Sequence, residues 1–105
     1  MKKILVVDDD PSILKVIRMR LEAQGYQVVT AIDAQKAIAL AAENMFDMAL
    51  LDLKLNGKDG IELMEDLHQL NPEIPVIILT AYGSIKSAVA AMKKGAYSYL
   101  TKPFD

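Results

Sequence analysis

The sequence predicts an α/β fold: five parallel strands alternating with four helices. Three observations carry the prediction. Short apolar runs recur at residues 4–7, 28–31, 48–51, 76–79 and 97–100 of the 105-residue chain. Several of them are apolar without alternation, as strands covered on both faces are. Longer stretches with apolar residues at helical spacing separate the runs. The resulting order, βαβαβαβαβ, implies a parallel sheet with helices on both faces.

Each helix has its own signals. Pro11 suits the first turn of the first helix, and Ile13, Leu14, Ile17 and Leu21 form its apolar stripe. Gly25 is a good stop. Asp33 is placed to cap a second helix that turns Ala37, Ile38 and Ala41 inward. A third helix carries Ile61, Met64, Leu67 and Leu70 and ends before Pro72. Ser84 is placed to cap a fourth, with Ile85, Ala88, Val89 and Met92 inward and Gly95 ending it. Right-handed crossovers prune the topologies without fixing strand order. The flavodoxin-like, doubly wound order 2-1-3-4-5 is the common one for five strands. A fifth helix usually follows the last strand. This sequence ends at Asp105, so that helix is expected to be missing, with one sheet face covered by the first helix alone. Residues 1–105 are read as one truncated domain.

Composition narrows the function. The formal charge is −2, which argues against a nucleic-acid surface, since that needs a basic patch. There is no cysteine and a single histidine, so thiolate and histidine-cluster metal sites are excluded. The apolar run after Lys2-Lys3 is cut too short by the acids at 8–10 to be a signal peptide. No segment is long enough to span a membrane, and the chain is read as cytoplasmic.

Parallel strands put their C-terminal ends on one edge, where ligands bind in this class of fold. The first run ends in Asp8-Asp9-Asp10, the third in Asp52, the fourth in Thr80 and the fifth in Lys102-Pro103. Carboxylates gathered in this way need a cation. All-oxygen ligation favours a hard metal such as Mg²⁺, which keeps open positions for phosphate oxygens. Lys102 and Thr80 then suit the opposite wall, because phosphoryl transfer is mostly positioning and charge stabilisation. A carboxylate such as Asp52 can be the nucleophile and form an aspartyl-phosphate. Asp10 reads better as the cap of the first helix than as a ligand. Taken singly, the acids read as a charged turn or a cap, and Lys102 as a surface lysine. Jointly those readings are poor.

With Asp8-Asp9, Asp52, Thr80-Ala81 and Lys102-Pro103 in order, the chain resembles the receiver domains of bacterial two-component response regulators. "LTAYGS" and "GAYSYLTKPFD" resemble those of NtrC-like, sigma-54-dependent activators. The resemblance implies that Asp52 accepts a phosphoryl group from a sensor histidine kinase. It implies that Asp8, Asp9, Asp52 and the backbone carbonyl of Lys54 hold Mg²⁺, and that Thr80 and Lys102 contact the phosphoryl group. It makes Tyr99 the switch aromatic, a role compatible with the plainer reading of a half-buried strand residue, and implies that phosphorylation changes the surface around the fourth helix and fifth strand. It implies a covalently linked output domain, a homodimer through that surface as one outcome, and no chemistry beyond the domain's own phosphorylation and dephosphorylation. Tyr82 borders the expected site, either tuning phosphoryl lifetime or standing as an exposed loop aromatic. His68 reads as a boundary residue of the third helix. The sequence departs from the family at Asn56, where a proline is usual. Asn-Gly is itself a turn dipeptide, so another turn is expected there.

Three rival readings fit less well. A haloacid-dehalogenase-like phosphatase needs a second acid two residues after the nucleophile, and that position is Lys54. A flavin-binding domain of the same fold needs a phosphate loop after the first strand, which three acids would repel. A degenerate receiver acting only as a binding module has no support while the site is complete.

Overall fold

A computed structural model describes residues 1–55, 57–80 and 85–101, and of Ile85 only the backbone. The strands are β1 (Lys3–Val7), β2 (Gln27–Ala31), β3 (Met48–Asp52), β4 (Lys54–Leu55), β5 (Lys58–Asp59), β6 (Val76–Thr80) and β7 (Ser98–Thr101). The helices are α1 (Pro11–Ala23), α2 (Ala34–Glu43), α3 (Gly60–Leu70) and α4 (Ile85–Lys93). The main sheet is parallel, in the order β2-β1-β3-β6-β7. Counting only its five members, that is 2-1-3-4-5, the expected order. The short strands β4 and β5 form a separate antiparallel pair on either side of the Asn56-Gly57 dipeptide. The turn expected at Asn56, where the family has a proline, lies outside the described residues.

Two cores form because the central strands bury both faces. On one face Leu5, Val7, Ala49, Leu51, Val76 and Ile78 pack beneath α2, α3 and Ala91 of α4. On the other, Ile4, Val6, Val28, Leu50 and Leu79 meet Leu14 and Ile17 of α1. Among the described residues α1 is the one helix on that face, and Leu100 of β7 is exposed beyond it.

The caps explain where helices begin. Asp10 accepts hydrogen bonds from the Ser12 backbone N–H at 2.9 Å and the Ser12 hydroxyl at 2.6 Å. Asp33 accepts from the Lys36 N–H at 2.7 Å. Both were expected. Asp59, which caps α3 through the Ile61 N–H at 2.7 Å, was not.

Two inward faces differ from expectation. In α3, Leu63 is buried with Met64 and Leu67, while Leu70 is exposed at the helix end. In α4, the fully buried residue is Ala91, with Ser87 and Ala88 half-buried, whereas Val89 and Met92 are 45% and 47% exposed. Small residues face the sheet, and Val89 and Met92 face outward. The expected Ser84 cap lies outside the described residues.

Candidate metal and phosphoryl site

The register brings the acids together. Val7 pairs with Leu51 across β1 and β3, so Asp8 and Asp52 end adjacent strands at the same level. Asp52 is in turn level with Leu79, one residue before Thr80 at the end of β6. Each side chain ends a strand whose preceding residues are committed to the core. Backbone packing, rather than loop conformation, therefore aims them at the edge.

Asp8, Asp9 and Asp52 each offer a carboxylate oxygen, and these oxygens lie within 4.8 Å of one another. Asp8 is 0% exposed and Asp52 8%, while Asp9 is half-buried. Asp8 also accepts the Asp10 N–H at 2.9 Å, which fixes its rotamer and the start of α1. Anions buried this close repel strongly unless a cation sits among them. The donor set is all oxygen, which fits a hard divalent ion and leaves no soft ligand for zinc or copper. The residues present therefore fit a divalent cation at this acidic pocket.

Thr80 closes the neighbouring position and is 3% exposed. Thr101, the last residue of β7, pairs with Thr80. Lys102 and Tyr82 lie outside the described residues. Lys54, two residues past Asp52, begins the β4–β5 pair. Tyr99 pairs with Ile78 in the register and is half-buried. Its hydroxyl is fully enclosed and has no hydrogen-bond partner among the described residues. His68 is not part of this edge. Its Nε2 lies 2.9 Å from the Ile74 carbonyl, joining the end of α3 to the approach to β6.

One neighbour of the site was passed over in the sequence. Gly60 begins α3 directly against the Asp52 backbone. The available signal was the Asp59-Gly60 dipeptide in front of an amphipathic run, where a glycine has no helix-forming reason to be.

Fold and site together define a parallel α/β domain with an acidic, cation-fitting pocket at its strand ends. The family model of the response regulator receiver domain matches residues 4–105, and the chain belongs to that family. Among curated relatives it is 43% identical over 102 residues to the transcriptional regulatory proteins GlrR and ZraR of Escherichia coli K12. It is 41% identical over 104 residues to the nitrogen assimilation regulatory protein NtrX of Azorhizobium caulinodans. These matches take in 97% of this chain and 23% of each relative, so the chain spans about a quarter of their length. Among solved structures, a response regulator from Burkholderia pseudomallei with a phosphorylated aspartic acid, calcium ion and citrate superposes with a TM-score of 0.94. It is 36% identical and covers 100% of this chain and 62% of its own. The beryllofluoride-activated NtrC4 receiver domain dimer gives 0.94 at 38% identity, covering 100% of this chain and 87% of its own.

Proposed function

We propose that Asp52 is the phosphoacceptor of this receiver domain, and that Asp8, Asp9, Asp52 and the Lys54 carbonyl hold Mg²⁺ beside it. The convergence of three carboxylates within 4.8 Å at the ends of neighbouring strands carries this reading. An Asp52 carboxylate oxygen attacks the phosphorus of a phosphohistidine on a sensor kinase. The O–P bond forms as the P–N bond breaks, and the imidazole leaves with the electron pair and takes up a proton. When bound, the cation offsets charge on the phosphoryl oxygens and the approaching carboxylate. Thr80 donates its hydroxyl proton to one phosphoryl oxygen, and Lys102 pairs with another. The phosphorylated aspartate in the Burkholderia relative supports this assignment by similarity.

Phosphorylation replaces the single negative charge of the Asp52 carboxylate with about two on the phosphoryl group, a net gain of about one, and adds strong acceptor oxygens. Thr80 moves toward the new acceptor, and Tyr99 repositions into the space behind it. The Tyr99 hydroxyl, buried without a partner among the described residues, supports this role, because such a setting costs about 1–3 kcal/mol and a move that hydrates or pairs it is favoured. The phosphoryl group acts through its different affinity for the two arrangements. The surface that changes is α4 with β7, where Val89 and Met92 of α4 are exposed apolar residues. That surface suits a second copy of the domain or a linked output domain, and the NtrC4 relative was solved as a dimer.

In this reading the domain catalyses only its own phosphorylation and dephosphorylation, works in the cytoplasm, and controls an output, transcription, through a segment of a longer protein. The transcriptional and nitrogen-assimilation regulators among its relatives support that output and the NtrC-like, sigma-54-dependent subclass. The domain itself contacts neither nucleic acid nor membrane. No helix among the described residues is long and apolar enough to cross a membrane. The test is phosphoryl uptake from labelled acetyl phosphate with Mg²⁺ or with chelator. Uptake that needs the metal supports the reading, and steady turnover of a phosphomonoester without retained label contradicts it.

A further inference from the structure

A side chain has no room at residue 60. A Cβ there would fall on the Asp52 carbonyl oxygen, and 3.0 Å from both the Asp52 carbonyl carbon and the Leu53 Cα. All three are main-chain atoms, which cannot swing aside as a side-chain tip can. Gly25 and Gly57 are different. They have positive φ of 93° and 73° and nothing within 4 Å of the Cβ position. Gly60 is not among the residues with positive φ, so close approach, rather than backbone freedom, accounts for it.

The approach is clamped from several sides. The Gly60 N–H donates to the Leu53 carbonyl at 2.7 Å, and the Leu53 N–H donates to the Leu79 carbonyl at 2.7 Å. Lys58 pairs with Asp66 of α3 at 2.8 Å, tying the β4–β5 pair to the helix, and the hydrogen bond and charge of Asp66 raise the Lys58 pKa. Leu63, Met64 and Leu67 anchor α3 in the core. The helix cannot back away without uncovering them. A group added at residue 60 therefore pushes on the Asp52–Leu53 peptide.

We infer that Gly60 is a positioning residue: its bare Cα lets the start of α3 clamp the peptide after Asp52. That clamp sets where the Asp52 carboxylate and the Lys54 carbonyl stand relative to Asp8 and Asp9. The inference rests on the reading of Asp52 as metal ligand and phosphoacceptor. Ligand distances tolerate only about 0.2 Å. A misplacement of about 1 Å at a reacting group can cost about 10²-fold.

The test compares Gly60→Ala with Gly25→Ala, which strains an open turn at the opposite edge of the sheet. Both substitutions lower the Tm. In Gly60→Ala, Mg²⁺ binding measured by calorimetry weakens about 10-fold or more, and phosphoryl uptake from acetyl phosphate slows by up to about 10²-fold. Gly25→Ala keeps both at wild-type values. Wild-type Mg²⁺ affinity and uptake in Gly60→Ala, or equal losses in Gly25→Ala, overturn the inference. If Gly60→Ala does not fold, amide hydrogen exchange on the wild-type chain decides. Mg²⁺ slows exchange of the Gly60 N–H and leaves the Gly25 N–H unchanged. Identical Gly60 exchange with and without metal overturns the inference. A wild-type chain that neither binds Mg²⁺ nor takes up phosphoryl contradicts the functional reading itself, a result distinct from all of these.

Discussion

Asp8 and Asp52 end neighbouring parallel strands at one level, just past the paired Val7 and Leu51, with carboxylate oxygens within 4.8 Å. Both are buried, so their repulsion is poorly relieved by water. At an effective dielectric of about 20, two charges at this separation repel by about 3 kcal/mol. Asp52→Asn is expected to stabilise the metal-free chain by about 1–3 kcal/mol in urea unfolding with chelator present. Mg²⁺ at about 100 times its Kd stabilises wild type by about 2.7 kcal/mol, and Asp52→Asn much less. A variant less stable than wild type in chelator would count against the site.

Tyr99→Phe removes a buried hydroxyl that has no partner among the described residues. Such a group costs about 1–3 kcal/mol, so the variant is expected to gain about 1 kcal/mol of stability in the unphosphorylated state. Equilibrium denaturation reads this directly. A loss of stability would mean that the hydroxyl is satisfied in solution.

Thr80→Ala separates uptake from signalling. The lost hydroxyl contact to a charged oxygen is worth about 1.5–3 kcal/mol, so uptake slows but persists. The change in the Tyr99 ring resonances on adding beryllofluoride and Mg²⁺ is expected to disappear. Persistence of that change in the variant would break the proposed link from Thr80 to Tyr99.

Val89 and Met92 stand on the open face of α4. Beryllofluoride with Mg²⁺ is expected to drive self-association through this proposed face in analytical ultracentrifugation, and Val89→Lys with Met92→Lys to abolish it, while uptake at Asp52 and folded stability change little. Exposed substitutions of this kind usually stay within about 0.5 kcal/mol. Undiminished association would place the docking surface elsewhere.

The sheet was legible because its strands are short, apolar and closed by distinctive residues. The site was legible for the same reason, since Asp8, Asp52 and Thr80 sit where buried runs stop. Helix faces were harder. In α3 the stripe through Ile61, Met64, Leu67 and Leu70 and the one through Leu63, Met64 and Leu67 share two residues, and period alone does not choose between them. In α4 the expectation followed hydrophobicity, whereas the packing followed size: Ser87, Ala88 and Ala91 turn inward, Val89 and Met92 outward. Gly60 went unnoticed because its role is defined by the main chain of Asp52, eight residues earlier, and no local pattern encodes that approach.

The most direct measurement is intact-protein and peptide mass spectrometry after incubation with acetyl phosphate and Mg²⁺. The account predicts a gain of one phosphoryl group, located on Asp52 and absent in Asp52→Asn. No gain in the wild-type chain, or an equal gain in Asp52→Asn, would contradict it.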